Sequence, residues 1–356
     1  MADSPMRLSE HLARQQTSLS AAHSNVSVVV GRIGRVAAVI AQELAHAALR
    51  DRLGYVGGTN VSGDRVKKLD VWGHEIMVAA LRETRVCAAV VSEESPEPIE
   101  MEEAGGAHAL VVCTDPVDGS SNLDVNGSVG TIFGVRASEG KTPAGPAALG
   151  PGTQQIAAGY VMYGPATTLV YTVGQGTHGF TLNEETGEFL LTHPDIRIPR
   201  RGKTYGINEG NLHSWHPGQR AFVEHLKTPD KPTGRPYSLR YSGAMVADVH
   251  RILLDGGLFM YPADWSDPKK PKAKLRLLYE IAPMGMIVEQ AGGPAPASSG
   301  CSTSCPPSIT SERPSSSAAP RTWRRPTSST VDNLRNRTER APHGIASEGD
   351  PELVQQ

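Results

Sequence analysis

At 356 residues the chain can bury a large core, as one big domain or two moderate ones. A formal charge of −2, with 38% hydrophobic and 20% charged residues, is ordinary soluble-enzyme composition and excludes the positive balance of a dedicated nucleic-acid binder. No run reaches the roughly 18 apolar residues of a membrane span, and the start MADSPMRLSEHLARQ has no signal-peptide apolar block. Cys87, Cys113, Cys301 and Cys305 are too few and too irregular for a disulfide scaffold, so a cytoplasmic location is expected, with no membrane or nucleic-acid partner.

A short helix is predicted over Arg7 to about Gln15, and a longer one over Asn25 to Arg50. In the latter, Val26, Val29, Val30, Ile33, Ala37, Ile40 and Leu44 make one apolar stripe, with Ser24 or Asn25 to cap the start. Gly31 and Gly34 would let another helix approach closely. Residues 56–68, VGGTNVSGDRVKK, read as a flexible loop, followed by an amphipathic helix from Val71 to Arg82.

Strands are predicted at 86–91, 109–113 and 129–135, the first two apolar on both faces and therefore in a sheet interior. QIAAGYVMYG, TTLVYTVG and GTHGFTLNEETGEFLLTH read as antiparallel strands, the last a hairpin turning at Asn183 to Gly187. Further on come the YGINEGN segment, a helix near Phe222 to Leu226, and a helix ending near Leu254 at Gly256 and Gly257. LFMYP (258–262) reads as a strand, WSDPKKPKAK as a basic loop, and Leu275 to Gln290 as a helix kinked at Pro283.

The sharpest chemical signal is carboxylates at strand ends. Glu93 and Glu94 end one strand, Asp115 and Asp118 the next, and Glu280 lies at a helix start preceded by Lys274 and Arg276. Ligands of α/β sheets sit beyond the carboxyl ends of strands, which would gather these acids around one crevice. Such a group needs cations at neutral pH, and oxygen-only ligation favours Mg²⁺ or Mn²⁺. Pro116 and Gly119 shape the DPVDG turn, and the following GSSN offers hydroxyls and main-chain N–H groups to a phosphate oxygen. Metals beside a phosphate cradle point to phosphate hydrolysis.

VVCTDPVDGSSNLD (111–124), TNVSGDRVKKLDV (59–71), YGINEG (205–210), RYSGAMVADVHR (240–251) and PKAKLRLLYE (271–280) together resemble class I fructose-1,6-bisphosphatase, of the lithium-sensitive sugar and inositol phosphatase superfamily. The resemblance covers about residues 8–293. It implies a layered α-β-α-β-α fold with mixed sheets, an N-terminal domain over 1–195 and a C-terminal domain over 196–293. The implied reaction is Mg²⁺-dependent removal of the 1-phosphate of D-fructose 1,6-bisphosphate, in gluconeogenesis or Calvin-cycle type metabolism. Sedoheptulose-1,7-bisphosphatase or inositol-phosphatase activity, or an inactive sugar-phosphate binder, stand as alternatives.

By the same resemblance, Glu93, Glu94, Asp115, Asp118, Glu280 and the Val117 carbonyl hold two or three Mg²⁺ ions, with Mn²⁺ as a substitute. Asp70 and Glu94 help deprotonate the attacking water, and Asp64 lies on a loop that closes over the metals. Ser120 and Ser121 face the 1-phosphate; Asn208, Tyr241, Tyr261 and Lys274 hold the 6-phosphate. Arg240 reaches that phosphate from a neighbouring subunit, implying a homodimer or homotetramer. The chain departs from the family at its AMP site, where His108-Ala109-Leu110 replaces a lysine–tyrosine pair, and at Asn211, where an aromatic residue is usual. Cys87 and Cys113 are expected to be buried and inert.

From Pro294 to Thr330, 23 of 37 residues are Ser, Thr or Pro, too little apolar surface to offset chain entropy. A disordered linker is one reading of 294–356, a shifted reading frame the other. Reread one base earlier with GC-rich codons, Cys301 to Pro306 gives VLDVVP, Ile309 to Ala319 gives HHQRTPLVLGS, and Arg321 to Arg325 gives EDVEE. These are family-like elements in family order, which places the shift between Ala291 and Ala295. As written, the tail is expected to deprive the second sheet of a strand and its covering helix, weakening activity and solubility.

Overall fold

Val26, Val29, Val30, Ile33, Ala37 and Ile40 recur at helical spacing, and all are buried along one face of a helix. The computed structural model describes residues 5–16, 25–59, 65–101, 108–138, 152–294 and 308–310. Helix α1 (Leu8–Gln16) lies against α2 (Val26–His46), and a Cβ on Gly34 would stand 2.9 Å from Leu8 Cδ2, so the small residue does admit the neighbouring helix. Asn25 does not cap α2 with its side chain; its Nδ2 instead donates to His108 O at 2.9 Å.

The expected loop over 56–68 is partly regular. Strands β1 (Tyr55–Thr59) and β2 (Arg65–Lys67) pair antiparallel. The Arg65 guanidinium sits 3.8 Å from the Tyr55 ring centroid, and this cation–π contact across the strands favours the pairing. Residues 60–64, Asp64 among them, lie outside the described residues. Helix α3 (Lys68–Glu83) begins before Val71 because Asp70, in its first turn, accepts the Lys67 main-chain N–H at 2.9 Å.

The large sheet holds β3 (Cys87–Ser92), β4 (Ile99–Glu100), β5 (Leu110–Asp118), β6 (Val129–Ala137), β7 (Gln155–Tyr163), β8 (Thr167–Thr172), β9 (His178–Asn183) and β10 (Glu188–His193), in the order β10-β9-β8-β7-β6-β5-β3-β4. Only β3 and β5 run parallel to one another in this sheet; the other neighbours are antiparallel. β5 is longer than its apolar run: it continues through Asp115-Pro116-Val117-Asp118, where its pairing with β6 becomes irregular. One face packs on α1, α2 and α3 through residues such as Ile33, Met77, Val112 and Leu169.

The smaller sheet, β12-β11-β13-β14, contains β11 (Thr204–Gly206), β12 (Ser238–Leu239), β13 (Leu258–Met260) and β14 (Ser308–Thr310). Alternation along β13 assigns its two faces. Leu258 and Met260 pack with Val223 and Leu226 of α4 (Pro217–Lys227), and Phe259 packs with the layer on the opposite side. That middle layer is α5 (Met245–Asp255) and α6 (Ala282–Gln290), whose Val246, Ile252, Met284 and Ile287 also meet Ile132, Tyr160 and Val170 of the large sheet. The result is the expected α-β-α-β-α layering.

The helix expected over 275–290 is divided. Leu277–Ile281 form a π-helical turn, and Pro283 falls in the first turn of α6, directly after it. The disordered or frame-shifted reading of the tail lies outside the described residues; at 308–310 the expectation of a missing strand is corrected, because β14 pairs antiparallel with β13 and gives β13 a partner on both sides. No helix among the described residues is long and apolar enough to cross a membrane.

Candidate functional site

The parallel pairing of β3 and β5 brings their carboxyl ends side by side. The Glu93 N–H donates to Thr114 O at 3.1 Å, so the Glu93-Glu94 turn leaves the sheet next to Asp115. Within the DPVD segment Asp115 Oδ1 accepts the Val117 N–H at 3.0 Å. The chain then turns at Gly119, whose φ of +76° suits glycine, and a Cβ there would lie 2.5 Å from Ala244 Cβ. This close approach lets the start of α5 reach the strand end, where Asp118 Oδ2 accepts the Val246 N–H at 3.0 Å. Asn122 Nδ2 adds a second tie, donating to Ser242 O at 3.0 Å.

The π turn delivers Glu280 from the other side. Carboxylate oxygens of Asp115, Asp118 and Glu280 lie within 4.8 Å of one another, and all three residues are buried. Burial, followed by the charges of Asp118, Glu280 and Glu94, holds Asp115 well above the usual carboxylate range. Burial pushes Asp118 up to about 7, with the Val246 N–H opposing and Glu280 and Asp248 adding to the rise. Glu280 is also raised by burial, against the Arg276 guanidinium that favours its anion.

Asp70 faces this cluster from α3. Gly73, one position before the next turn's His74, has no Cβ to meet Val117 Cγ2 at 2.9 Å, so α3 can close on the end of β5. Burial pushes the Asp70 carboxyl up to about 6, opposed by the Lys67 N–H and the Ser120 hydroxyl. Its Oδ1 is buried without a hydrogen-bond partner among the described residues. An orphaned carboxylate oxygen lining the same cavity as three mutually close carboxylates is a donor set that fits hard divalent cations such as Mg²⁺.

One cavity of about 540 Å³ collects most of the expected residues. Asp70, Glu93, Glu94, Asp115, Val117, Asp118 and Glu280 line one part of it, with Ser120 and Ser121 beside them. Asn208, Tyr241, Tyr261 and Lys274 also line it. Arg240 is exposed and is not among the lining residues; its main-chain N–H donates to Tyr205 O and its guanidinium to Leu239 O. Asn211 lines a second cavity that shares Tyr261, Lys274, Leu275 and Arg276 with the first. Cys87 and Cys113 are buried free thiols, each pushed up to about 11 by burial.

Sequence reading passed over Arg276 as a site residue. Its guanidinium pairs with Glu93 and, at 3.4 Å, with Glu280, which places a positive charge at the acidic cluster. The Lys274-Leu275-Arg276 alternation was the available signal, since two cations two positions apart face one side of an extended segment. Asp248 was also missed. Its oxygens both accept the Ser242 N–H, at 3.0 and 3.3 Å, and so fix the turn before α5. An acid inside a helix carries no sequence signal for that role.

The chain matches two family models, "Fructose-1-6-bisphosphatase, N-terminal domain" over residues 6–194 and "Fructose-1-6-bisphosphatase, C-terminal domain" over 198–313. It is 44% identical over 293 residues to the class 1 fructose-1,6-bisphosphatase of Oleidesulfovibrio alaskensis, spanning 81% of this chain and 87% of that protein. The Thermosynechococcus vestitus class 1 enzyme is 43% identical, with 82% of each chain covered. Among solved structures, the holo form of Leishmania major fructose-1,6-bisphosphatase superposes with a TM-score of 0.77 at 37% identity, covering 87% of this chain and 96% of that one. With family models matched across both halves and relatives 43–44% identical over more than four-fifths of its length, the chain belongs to the class 1 fructose-1,6-bisphosphatase family.

Proposed function

We propose that this protein is a phosphoric monoester hydrolase that removes the 1-phosphate of D-fructose 1,6-bisphosphate, giving fructose 6-phosphate and phosphate. The observation that carries this reading is the meeting of Asp115, Asp118 and Glu280 within 4.8 Å, in a cavity also lined by Lys274, Tyr241 and Tyr261. The residues that would hold Mg²⁺ are Glu93, Glu94, Asp115, Asp118, Glu280 and the Val117 carbonyl. Bound there, Mg²⁺ would lower the pKa of a coordinated water and offset charge on the transferring phosphoryl group.

The chain's own groups divide the remaining work. Asp70, held near neutrality by burial, accepts the proton of the attacking water together with Glu94. Ser120 and Ser121 present their hydroxyls and turn N–H groups to the 1-phosphate. At the far end Lys274 supplies a point charge and Tyr241, Tyr261 and Asn208 fix the direction of the 6-phosphate, so the sugar is oriented by both ends. Asp64 belongs to the loop proposed to close over the site.

Arg240 is outside the lining of its own cavity and exposed, which supports a homo-oligomer in which it serves a neighbouring subunit. A cytoplasmic location and the division into domains at 1–195 and 196–293 belong to the same reading, as does the reading-frame shift after about residue 293, which resequencing across the junction tests. The function itself is tested by phosphate release from fructose 1,6-bisphosphate with and without Mg²⁺. Sedoheptulose 1,7-bisphosphate and inositol phosphate run as competitors. Absence of Mg²⁺-dependent release from the first, or faster turnover of either competitor, overturns the assignment.

A further inference from the structure

Ser92 is 1% exposed and immediately precedes the paired acids Glu93 and Glu94. Its Oγ accepts the Glu94 main-chain N–H at 3.3 Å, and its main-chain O accepts the Ser95 N–H at 3.2 Å. The hydroxyl is therefore part of the turn that carries both carboxylates out of β3. A buried hydroxyl also needs an acceptor for its own proton. His74 Nδ1, at 2.9 Å, stands in that place. His74 is one helical turn beyond Asp70 on α3, so the same face of the helix that presents Asp70 to the site also reaches Ser92.

We infer that His74 is a positioning residue for the divalent-cation site: by accepting the Ser92 hydroxyl proton it locks the Ser92–Ser95 turn and so fixes where Glu93 and Glu94 present their oxygens. The inference deepens the proposed function and rests on it. With the ring as acceptor, Ser92 Oγ keeps its lone pairs toward the Glu94 N–H. Without the ring, the hydroxyl turns to another acceptor and competes with the turn's own bonds. Groups one step removed from the ligands commonly contribute 10- to 100-fold, roughly, in metal affinity by holding ligand orientation. A Leu at 74 keeps the volume and removes the acceptor; an Asn keeps an acceptor oxygen on a shorter arm.

The test uses the full chain and its His74→Leu, His74→Asn, Ser92→Ala and His74→Leu/Ser92→Ala variants. Mg²⁺ and Mn²⁺ affinity is measured by calorimetry without substrate, beside melting temperature in chelator. His74→Leu and Ser92→Ala are each expected to weaken cation binding about tenfold, with melting in chelator close to wild type. The double variant should be no weaker than Ser92→Ala, since His74 acts only through that hydroxyl, and His74→Asn should recover most of the affinity. Wild-type affinity in His74→Leu, or losses that add in the double variant, would overturn the inference. A wild-type protein that takes up no cation at all would instead overturn the cation site itself, so the two failures are distinguishable. If His74→Leu fails to fold, Ser92→Ala and His74→Asn decide the matter by the same readouts.

Discussion

The main-chain N–H of Val246 donates to Asp118 Oδ2 at 3.0 Å, joining residues 128 positions apart in sequence. Asp118 ends a strand of the large sheet and Val246 opens a helix of the middle layer, so this bond ties the acidic turn to the half of the chain that carries Lys274 and Glu280. The bond divides the carboxylate's work: it accepts from the first turn of α5 while presenting an oxygen to the cluster with Asp115 and Glu280.

That division makes Asp118→Asn informative. The amide oxygen can still accept from Val246, but the negative charge is gone. Mg²⁺-dependent turnover should fall on the order of 100-fold or more, a barrier increase of about 2.7 kcal/mol. Melting in chelator should hold or rise, because a buried like charge has been removed. Steady-state kinetics and thermal scans of the same preparation check both halves.

The cluster also fixes the sign of a pH effect. Asp70 and Asp118 have folded-state pKa values near 6 and 7, above the ordinary 3.8, so the folded protein binds protons that the unfolded chain has released. In chelator, their contribution to stability is therefore present at low pH and lost as pH rises through 6 to 7. Saturating Mg²⁺ should raise the melting temperature more at pH 8 than at pH 5.5. An equal increment at both pH values would show that these acids do not titrate as a buried group.

Arg276 pairs with Glu93 and Glu280 inside the same site. Arg276→Met leaves buried carboxylates without their cationic partner, which in chelator should cost about 3 kcal/mol of stability. Urea unfolding measures it, and added Mg²⁺ should restore much of the loss because it supplies charge at the same place.

Gly119→Ala tests the turn. The residue sits at φ +76°, and the new methyl would lie 2.5 Å from Ala244 Cβ. A left-handed conformation costs a non-glycine residue roughly 1–2 kcal/mol, and overpacking adds roughly 1–3 kcal/mol. The urea midpoint should drop accordingly, with activity lost alongside it.

Lys274→Ala tests the proposed 6-phosphate contact in the cavity. A hydrogen bond to a charged group contributes about 1.5–3 kcal/mol, so KM should rise about 10- to 100-fold, while kcat changes little because the contact is the same in ground and transition states. A fall in kcat with unchanged KM would place Lys274 at the reacting phosphate instead.

Much of this was legible in the residues themselves. The apolar stripe of α2, the buried runs of β3 and β5 and the 183–187 hairpin turn follow from side-chain periodicity and turn chemistry, which are local properties. Within the expected loop at 56–68, strands β1 and β2 pair and Arg65 stacks on Tyr55, and no periodic signal records such a pair. The missed strand partner for β13 is of the same kind, since 308–310 has no strand-like run of its own.

Residue order alone tells which acids the chain carries, that two pairs of them end apolar runs, and that the DPVDG turn bends at a glycine; composition and spacing suffice for those. Packing is what brings Glu280 to Asp115 and Asp118, stands Arg276 among them, and lets His74 reach Ser92. The difference lies in distance along the chain: backbone preference and periodicity act over a few residues, whereas these contacts depend on how whole layers pack, and burial then sets the protonation of whatever that packing encloses.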